Sequence, residues 1–373
     1  MSATVYYIPQ TLRNWPWKLV GPNPYDQEAD AEVTSWIRDF ERISATRLPP
    51  AVARVATSLA SWAYPYATLY DLRSCGDMML VFNMIDDYID RLDAKVAKSV
   101  CDMIMDAMEN LDKPLPEGES SIVPEFARQF WQRASLNAPK AARERFLKAY
   151  HQYLDAVVQE AQHRSTSFNC TTDEYMSIRR GSIGSGPAFA LMEISLGLDL
   201  PHEVMEHPAI VSLIRDASDI IILTNVNATP FIAILRGAVQ WISDRNDEAV
   251  ERFLAIRDDV HNHGNGVPSW GKDIDLQLEK YINGMGKWSY YLVRHSFTAP
   301  LKLIGFVRMT NGASVAGDTL GRKALKFNDL APSSSRSTYI PPPSLHTYAT
   351  YVMLIFEHTP EILMILLFYP VEA

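Results

Sequence analysis

The chain has little cysteine, with only Cys75, Cys101 and Cys170 in 373 residues. An odd, widely spaced set provides neither a disulfide framework nor a zinc site, and it fits a reducing, cytoplasmic setting. Positive charge is also short. Against 44 Asp and Glu stand 35 Lys and Arg, for a net charge of −9. Nucleic acid is therefore not expected as a partner, because phosphate backbones are held by clustered basic residues. The same deficit means that an anionic ligand such as a diphosphate needs a metal cation to help bind it. Long apolar runs are missing too. Tyr351 to Phe356 and Ile362 to Val371 are strongly apolar, but Glu357, His358, Pro360 and Glu361 divide them. Neither piece reaches the roughly 18 to 20 residues of a membrane span, so no stable span is expected and membrane-surface contact of the tail is the lesser alternative. Met1 to Gln10 lacks the basic start and apolar run of a secretory signal, so no export is expected.

What is present is enough apolar material for a sizeable core, at 47% of residues. From about Glu28 to Ala299 its spacing follows the helical period, and no sustained run alternates with the period of a strand. Windows such as Glu32 to Phe40, Ala51 to Tyr70, Val96 to Leu111, Val123 to Leu136, Ala141 to His163, Val204 to Val211, Ile214 to Thr224 and Asp273 to Arg294 predict an all-α bundle. Joints are expected at the Pro and Gly clusters around Gly21-Pro22-Asn23-Pro24, Lys113 to Gly118 and Gly264 to Pro268. Composition changes after about residue 300, where Gly305 to Asp318 resembles linker and Pro332 to Thr338 and Pro341-Pro342-Pro343 offer little core. Residues 1–300 are read as the main domain and 301–373 as an appendage.

The segment Asp86-Asp87-Tyr88-Ile89-Asp90 places three carboxylates on one helix in the spacing D-D-x-x-D. Asp86 and Asp90 share a face, and carboxylates held that close repel unless a cation or proton lies between them. Mg²⁺ is the expected cation, since it takes one or two carboxylates and fills its shell with water and phosphate oxygens. A solvated acidic turn is the plainer alternative. The apolar run Met78-Met79-Leu80-Val81-Phe82 argues against it, because it sets the carboxylates at the end of a mostly buried helix. Downstream, Asp219, Leu223 and Asn227 recur at i, i+4 and i+8 on one helical stripe. Taken alone, that stripe is better read as a buried helix with a capping Asp and polar ends. Likewise a lone Arg179-Arg180 fits a solvated helix end, and a lone Arg294-His295 carries no meaning.

In combination these stretches resemble the class I terpene synthases, and their local wording resembles the fungal sesquiterpene branch. The likeness runs from about residue 8 to 297 and is carried by Ile8-Pro9 through Asn14-Trp15-Pro16-Trp17, Ala63-Tyr64-Pro65, Cys75 to Met79, Glu174-Tyr175 through Arg179-Arg180-Gly181-Ser182-Ile183-Gly184, Pro268 to Gly271, Tyr281 to Gly286, and Trp288-Ser289 through Arg294-His295. The resemblance implies a helical bundle around an apolar cavity. It also implies as many as about three Mg²⁺ ions, or Mn²⁺, bound with a linear prenyl diphosphate. On the family pattern Asp86 and Asp90 bind metal and Asp87 orients the cluster. Asp219 and Asn227 fall on the second metal motif, in which Leu223 supplies no oxygen and Asn227 only a neutral one. Arg180 matches a diphosphate sensor, with Arg179 the alternative, and Gly184 a helix break facing the substrate. Arg294-His295 stands where the family has Arg-Tyr, and both are expected on the diphosphate. Phe82 and Trp288, by their place beside these motifs, are candidate cavity aromatics, with plain core packing as the alternative.

The implied reaction is Mg²⁺-assisted ionisation and cyclisation of a prenyl diphosphate, farnesyl diphosphate before the C10 form. The chain is expected as a monomer or homodimer. A degenerate member that binds prenyl diphosphate or a partner with little turnover is the rival, and a chain-elongating prenyltransferase, which would carry a second D-D-x-x-D, the remoter one.

Overall fold

The computed structural model describes residues 4–7, 12, 14–18, 20–43, 50–89, 92–114, 122–166, 171–227, 236–298, 337–340, 350–356 and 363–369. The helices among them are α1 (Asp26–Ile43), α2 (Pro50–Ala63), α3 (Leu69–Ile89), α4 (Ala94–Glu109), α5 (Ile122–Ala134), α6 (Lys140–Thr166), α7 (Thr172–Ser182), α8 (Ser185–Ser195), α9 (His202–Met205), α10 (Pro208–Asn227), α11 (Arg236–Asn262) and α12 (Lys272–Thr298). The bundle is the all-α body that the helical periodicity predicts, with two of its windows divided. Ala51 to Tyr70 is interrupted after Ala63 because Tyr64 precedes Pro65, and a residue before proline is pushed out of the helical region. The buried Asn23 closes that joint, its side-chain amide donating to the carbonyls of Tyr64 and Ala67 at 2.9 Å each. Val204 to Val211 is divided because Pro208 opens α10, the first helical position being where a missing N–H is tolerated.

Helix α3 forms the centre of the bundle and packs against α1, α2, α5 and α8. It is buried along nearly its whole length, including its charged Arg73 and Asp77. Asp77 is fully buried and sits between two guanidinium groups: Arg73 Nε donates to one oxygen at 2.7 Å, and Arg133 Nη1 of α5 donates to the other. Both arginines stack on the Trp36 ring of α1, at 5.3 and 5.9 Å from its centroid, and the Trp36 indole N–H is held by Gln129 Oε1 at 2.6 Å. Three helices are thus tied by one buried charge cluster, whose desolvation is offset by these three hydrogen bonds and an aromatic face.

At the N-terminal end, Trp15 and Trp17 lie against α11 and α12. Their indoles contact Phe253 at 5.0 and 5.8 Å between centroids, and their N–H groups donate to Gly286 O and Asn283 Oδ1, both at 2.8 Å. A side chain at position 286 would collide with the Trp17 ring at 2.3 Å, so this close approach requires glycine.

Outside the helical body, at its two ends, the structure holds strands that the helical reading did not anticipate. β1 (Thr4–Tyr7), β2 (Ser337–Ile340), β3 (Thr350–Phe356) and β4 (Leu363–Tyr369) form an antiparallel sheet in the order β1-β4-β3-β2. The two apolar stretches of the tail are β3 and β4, and β4 pairs with β1 near the start of the chain. Gly305 to Asp318 lies outside the described residues. Among the described residues no helix is long and apolar enough to cross a membrane.

The Asp77 cluster makes a measurable demand. Asp77→Asn removes the buried counter-ion shared by Arg73 and Arg133, leaving Arg73 only its longer 3.6 Å pair with Glu32, and should lower the unfolding free energy by about 3 kcal/mol in a denaturant titration; an unchanged midpoint would show that the cluster contributes nothing.

Candidate active site

The C-terminal turn of α3 carries Asp86, half-buried, and Asp87, exposed; Asp90 lies outside the described residues. Carboxylates are misplaced there by the helix's own electrostatics, because the last carbonyls make that end negative and α3 has no basic residue in its last turn. Partial relief comes from α6, where Arg164 Nη2 approaches the Ile89 carbonyl at 3.5 Å. An external cation would relieve the rest.

One turn earlier, Phe82 packs on two tyrosines of α6, 4.7 Å from the Tyr153 centroid and 5.9 Å from that of Tyr150. Burial drives the Tyr153 phenol well above its ordinary pKa, and the neighbouring Tyr150 and the Asp86 charge add to the shift. Asp86, Phe82 and Tyr153 are therefore neighbours on one wall.

Opposite Phe82 lies the junction of α7 and α8. Helix α7 starts with a reciprocal cap between Thr171 and Glu174 and ends at Ser182. The chain then turns at Ile183 and Gly184, whose φ of +78° is a left-handed conformation, and α8 begins at Ser185. A Cβ on Gly184 would lie 3.1 Å from Phe82 Cε2, so glycine is needed here for its backbone angle and for the approach of the ring. The break expected at Gly184 is found there, pressed against the wall that bears Asp86.

The two arginines of α7 diverge. Arg179 is buried, its Nη1 donating to Glu160 Oε1 of α6 at 3.3 Å and to Ser182 Oγ at 3.1 Å. Ser182 donates to the same Glu160 oxygen, while Glu160 Oε2 has no hydrogen-bond partner among the described residues. Arg180 points the other way, to α10, where its Nε and Nη2 donate to Asp219 Oδ1 and Oδ2 at 2.6 and 2.9 Å. That pairing with Asp219 raises the Arg180 pKa above its already high ordinary value, so it is charged at any working pH. The same junction is pinned once more by a 2.8 Å hydrogen bond between the hydroxyls of Ser185 and Ser218.

Farther along α10, Leu223 is buried in the apolar core, and Asn227 is the last helical residue, with a side chain outside the described set. Arg294 and His295 lie near the end of α12, and their side chains are likewise outside it. Trp288 of α12 is buried edge-to-face against Phe189 of α8, 5.4 Å between centroids. The structure thus brings Phe82 against Gly184 and pairs Arg180 with Asp219 beside the same α7–α8 break, with Asp86 one turn beyond Phe82 on α3 and Trp288 against another face of α8.

Sequence reasoning passed over Glu160 and Tyr153, although a glutamate one helical face along from two buried tyrosines was a visible signal. It also passed over Asp216, fully buried and held by Arg252 at 3.1 and 3.2 Å.

The donor set suits a hard divalent cation. Asp86 and Asp87 offer only oxygens, and among the described residues no group of three or more acidic, His or Cys side chains closes a shell of its own. A cation here would complete its coordination with water and ligand oxygens, as Mg²⁺ does on phosphates.

Residues 77–225 match the family model described as terpene synthase family 2, C-terminal metal binding. That span takes in Asp86, Arg180 and Asp219 and stops short of Asn227. The chain is 33% identical to sesquiterpene synthase 9 of Postia placenta over 314 residues, covering 79% of this chain and 88% of that one. It is also 33% identical to a delta(6)-protoilludene synthase of Stereum hirsutum, covering 76% and 79% of the two chains. In structure it resembles germacradien-4-ol synthase from Streptomyces citricolor, with a TM-score of 0.65 at 20% identity over 76% of this chain and 99% of the other. Fold, junction and relatives agree: the chain belongs to the terpene synthase family, on its fungal sesquiterpene synthase branch.

Proposed function

We propose that the protein ionises farnesyl diphosphate and cyclises the resulting allylic cation to a sesquiterpene, releasing diphosphate, with Mg²⁺ as its cation and Mn²⁺ as a substitute. The observation that carries this reading is the contact of Phe82 with the Gly184 break, which sets the acidic end of α3 against the junction bearing Arg180. The names of the relatives, sesquiterpene and protoilludene synthases, support the same chemistry.

In this reading Asp86 and Asp90 hold the metal and Asp87 orients them, while Asp219 and Asn227 are the candidate ligands of the facing wall. Bound there, Mg²⁺ would neutralise charge on the leaving diphosphate. Arg180 supplies a permanent positive charge to the same oxygens, and Arg179, Arg294 and His295 are further candidate contacts. Phe82 and Trp288 are the candidate aromatic side chains that would stabilise the cation, and exclusion of water by the packed helices would keep it from being quenched. No side-chain nucleophile is required. The free, buried thiols of Cys75 and Cys101 suit a reducing compartment such as the cytosol.

The burial of Leu223 favours a second reading, a member that binds prenyl diphosphate with little turnover, because the facing wall lacks a donor at that position. Purified protein incubated with farnesyl diphosphate and Mg²⁺ should release diphosphate and yield cyclic hydrocarbon by gas chromatography with mass detection, and a chelator should abolish both. Binding without product, even at raised Mg²⁺, would select the second reading; neither binding nor product would sink both. Asp86→Asn should reduce kcat/KM by about a hundredfold, the scale of losing one transition-state charge contact. Gly184→Ala should cost about 1 kcal/mol in backbone strain, read as a lower Tm, and displace Phe82. Its kcat should fall at least about tenfold, since small misplacements near reacting groups are amplified.

A further inference from the structure

We infer that Tyr153 of α6 is a specificity-determining residue that acts through Phe82: its ring fixes the Phe82 ring beside the Gly184 break and so sets the wall on which the prenyl chain folds. The inference rests on the terpene cyclase reading above and names a residue that shapes its product. Two elements hold Phe82. The break meets one edge of the ring, since a Cβ on Gly184 would stand 3.1 Å from Cε2 and 3.5 Å from Cδ2 and Cζ. From α6 the Tyr153 ring stands 4.7 Å away between centroids, tilted by 50°. Between these contacts the ring has little freedom to turn.

Tyr153 is itself backed and cannot yield. It is buried and packs edge-on against Tyr150 at 5.7 Å; Tyr150 rests on Phe146 at 5.6 Å, and Phe146 stacks on Trp131 of α5 at 4.6 Å. A close-packed line of rings transmits a displacement and does not absorb it. The rings do this without their polar tips at Tyr150, whose buried hydroxyl has no hydrogen-bond partner among the described residues. Phe82 ends the line, and of these rings it alone is only half-buried, although Leu80, Val81, Met84 and Ile85 beside it on α3 are buried. Its open surface lies on the same helical face as Asp86, one turn on. A prenyl chain whose diphosphate is held near Asp86 runs past that surface. Ring closure joins the carbons that the wall brings together, so a small shift of the Phe82 ring changes which pair reacts.

Product analysis by gas chromatography, with farnesyl diphosphate and Mg²⁺, separates this role from plain packing. In Tyr153→Leu, acyclic or less cyclised compounds should replace most of the wild-type product, and kcat should fall about tenfold. KM should move by no more than about twofold, because the diphosphate contacts are untouched. Tyr153→Phe keeps the ring and should restore the wild-type profile. Tyr153→Met should divert product as Tyr153→Leu does, and it serves as the second variant should the leucine fold poorly. In a Phe82→Leu background, Tyr153→Leu should alter the profile no further, because the tyrosine acts only through that ring. A wild-type profile from the Leu and Met variants, at whatever rate, would overturn the inference. So would diversion by Tyr153→Phe as strong as by Tyr153→Leu, which would assign the effect to the hydroxyl, or further diversion in the double variant. A wild-type protein that consumes no farnesyl diphosphate would instead remove the functional reading on which the inference stands.

Discussion

The structure is organised around a helix that carries charge through an apolar core. α3 is buried almost end to end, and Asp77 within it is tolerable only because Arg73, Arg133 and the Trp36 face replace the water it lost. An ionised group without such partners would shift the helix outward or stay neutral. With them, α1, α3 and α5 are locked in register. Everything C-terminal on α3 inherits that register, including the ring of Phe82 and the carboxylate of Asp86.

From Phe82 the constraint passes to the α7–α8 junction. The left-handed Gly184 lets the chain turn within contact of the ring, and two oppositely directed arginines fasten the junction, one to α6 through Glu160 and one to α10 through Asp219. Adjacent residues on a helix point about 100° apart, so a paired Arg-Arg at a helix end can serve two partners at once. The junction is consequently tied on both sides, as preorganised charge stabilisation requires. At the far side of α8, Trp288 is fixed by Phe189, and α12 is held in place by the indoles of Trp15 and Trp17. The first strand of the chain, only a few residues before these tryptophans, pairs with β4 near the other end. Both ends of the sequence thereby meet in one sheet.

Much of this was legible in the sequence. The helical body followed from a period that ran unbroken by strand-like alternation, and the acidic helix end followed from spacing, because the apolar run before the aspartates set them at the end of a mostly buried helix. The Gly184 break followed from the family likeness. The limits were also physical. Helical periodicity did not reveal that Pro65 and Pro208 divide continuous-looking windows, since backbone sterics act on one residue and leave the apolar pattern intact. It gave no sign of the sheet, whose three late strands are completed by one from the start of the chain and are defined by one another.

The sequence by itself determined the helices, the carboxylates at the end of α3 and the pairing of residues along single helical faces, because those depend on local geometry and on spacing of a few residues. Only the tertiary structure decided that Arg180 faces Asp219 and Arg179 faces Glu160, and that Leu223 points into the core. These partners come from different helices, and spacing states which residues share a face but not which neighbour that face meets. That choice belongs to packing, where burial of the remaining apolar surface and satisfaction of each buried charge must be met together.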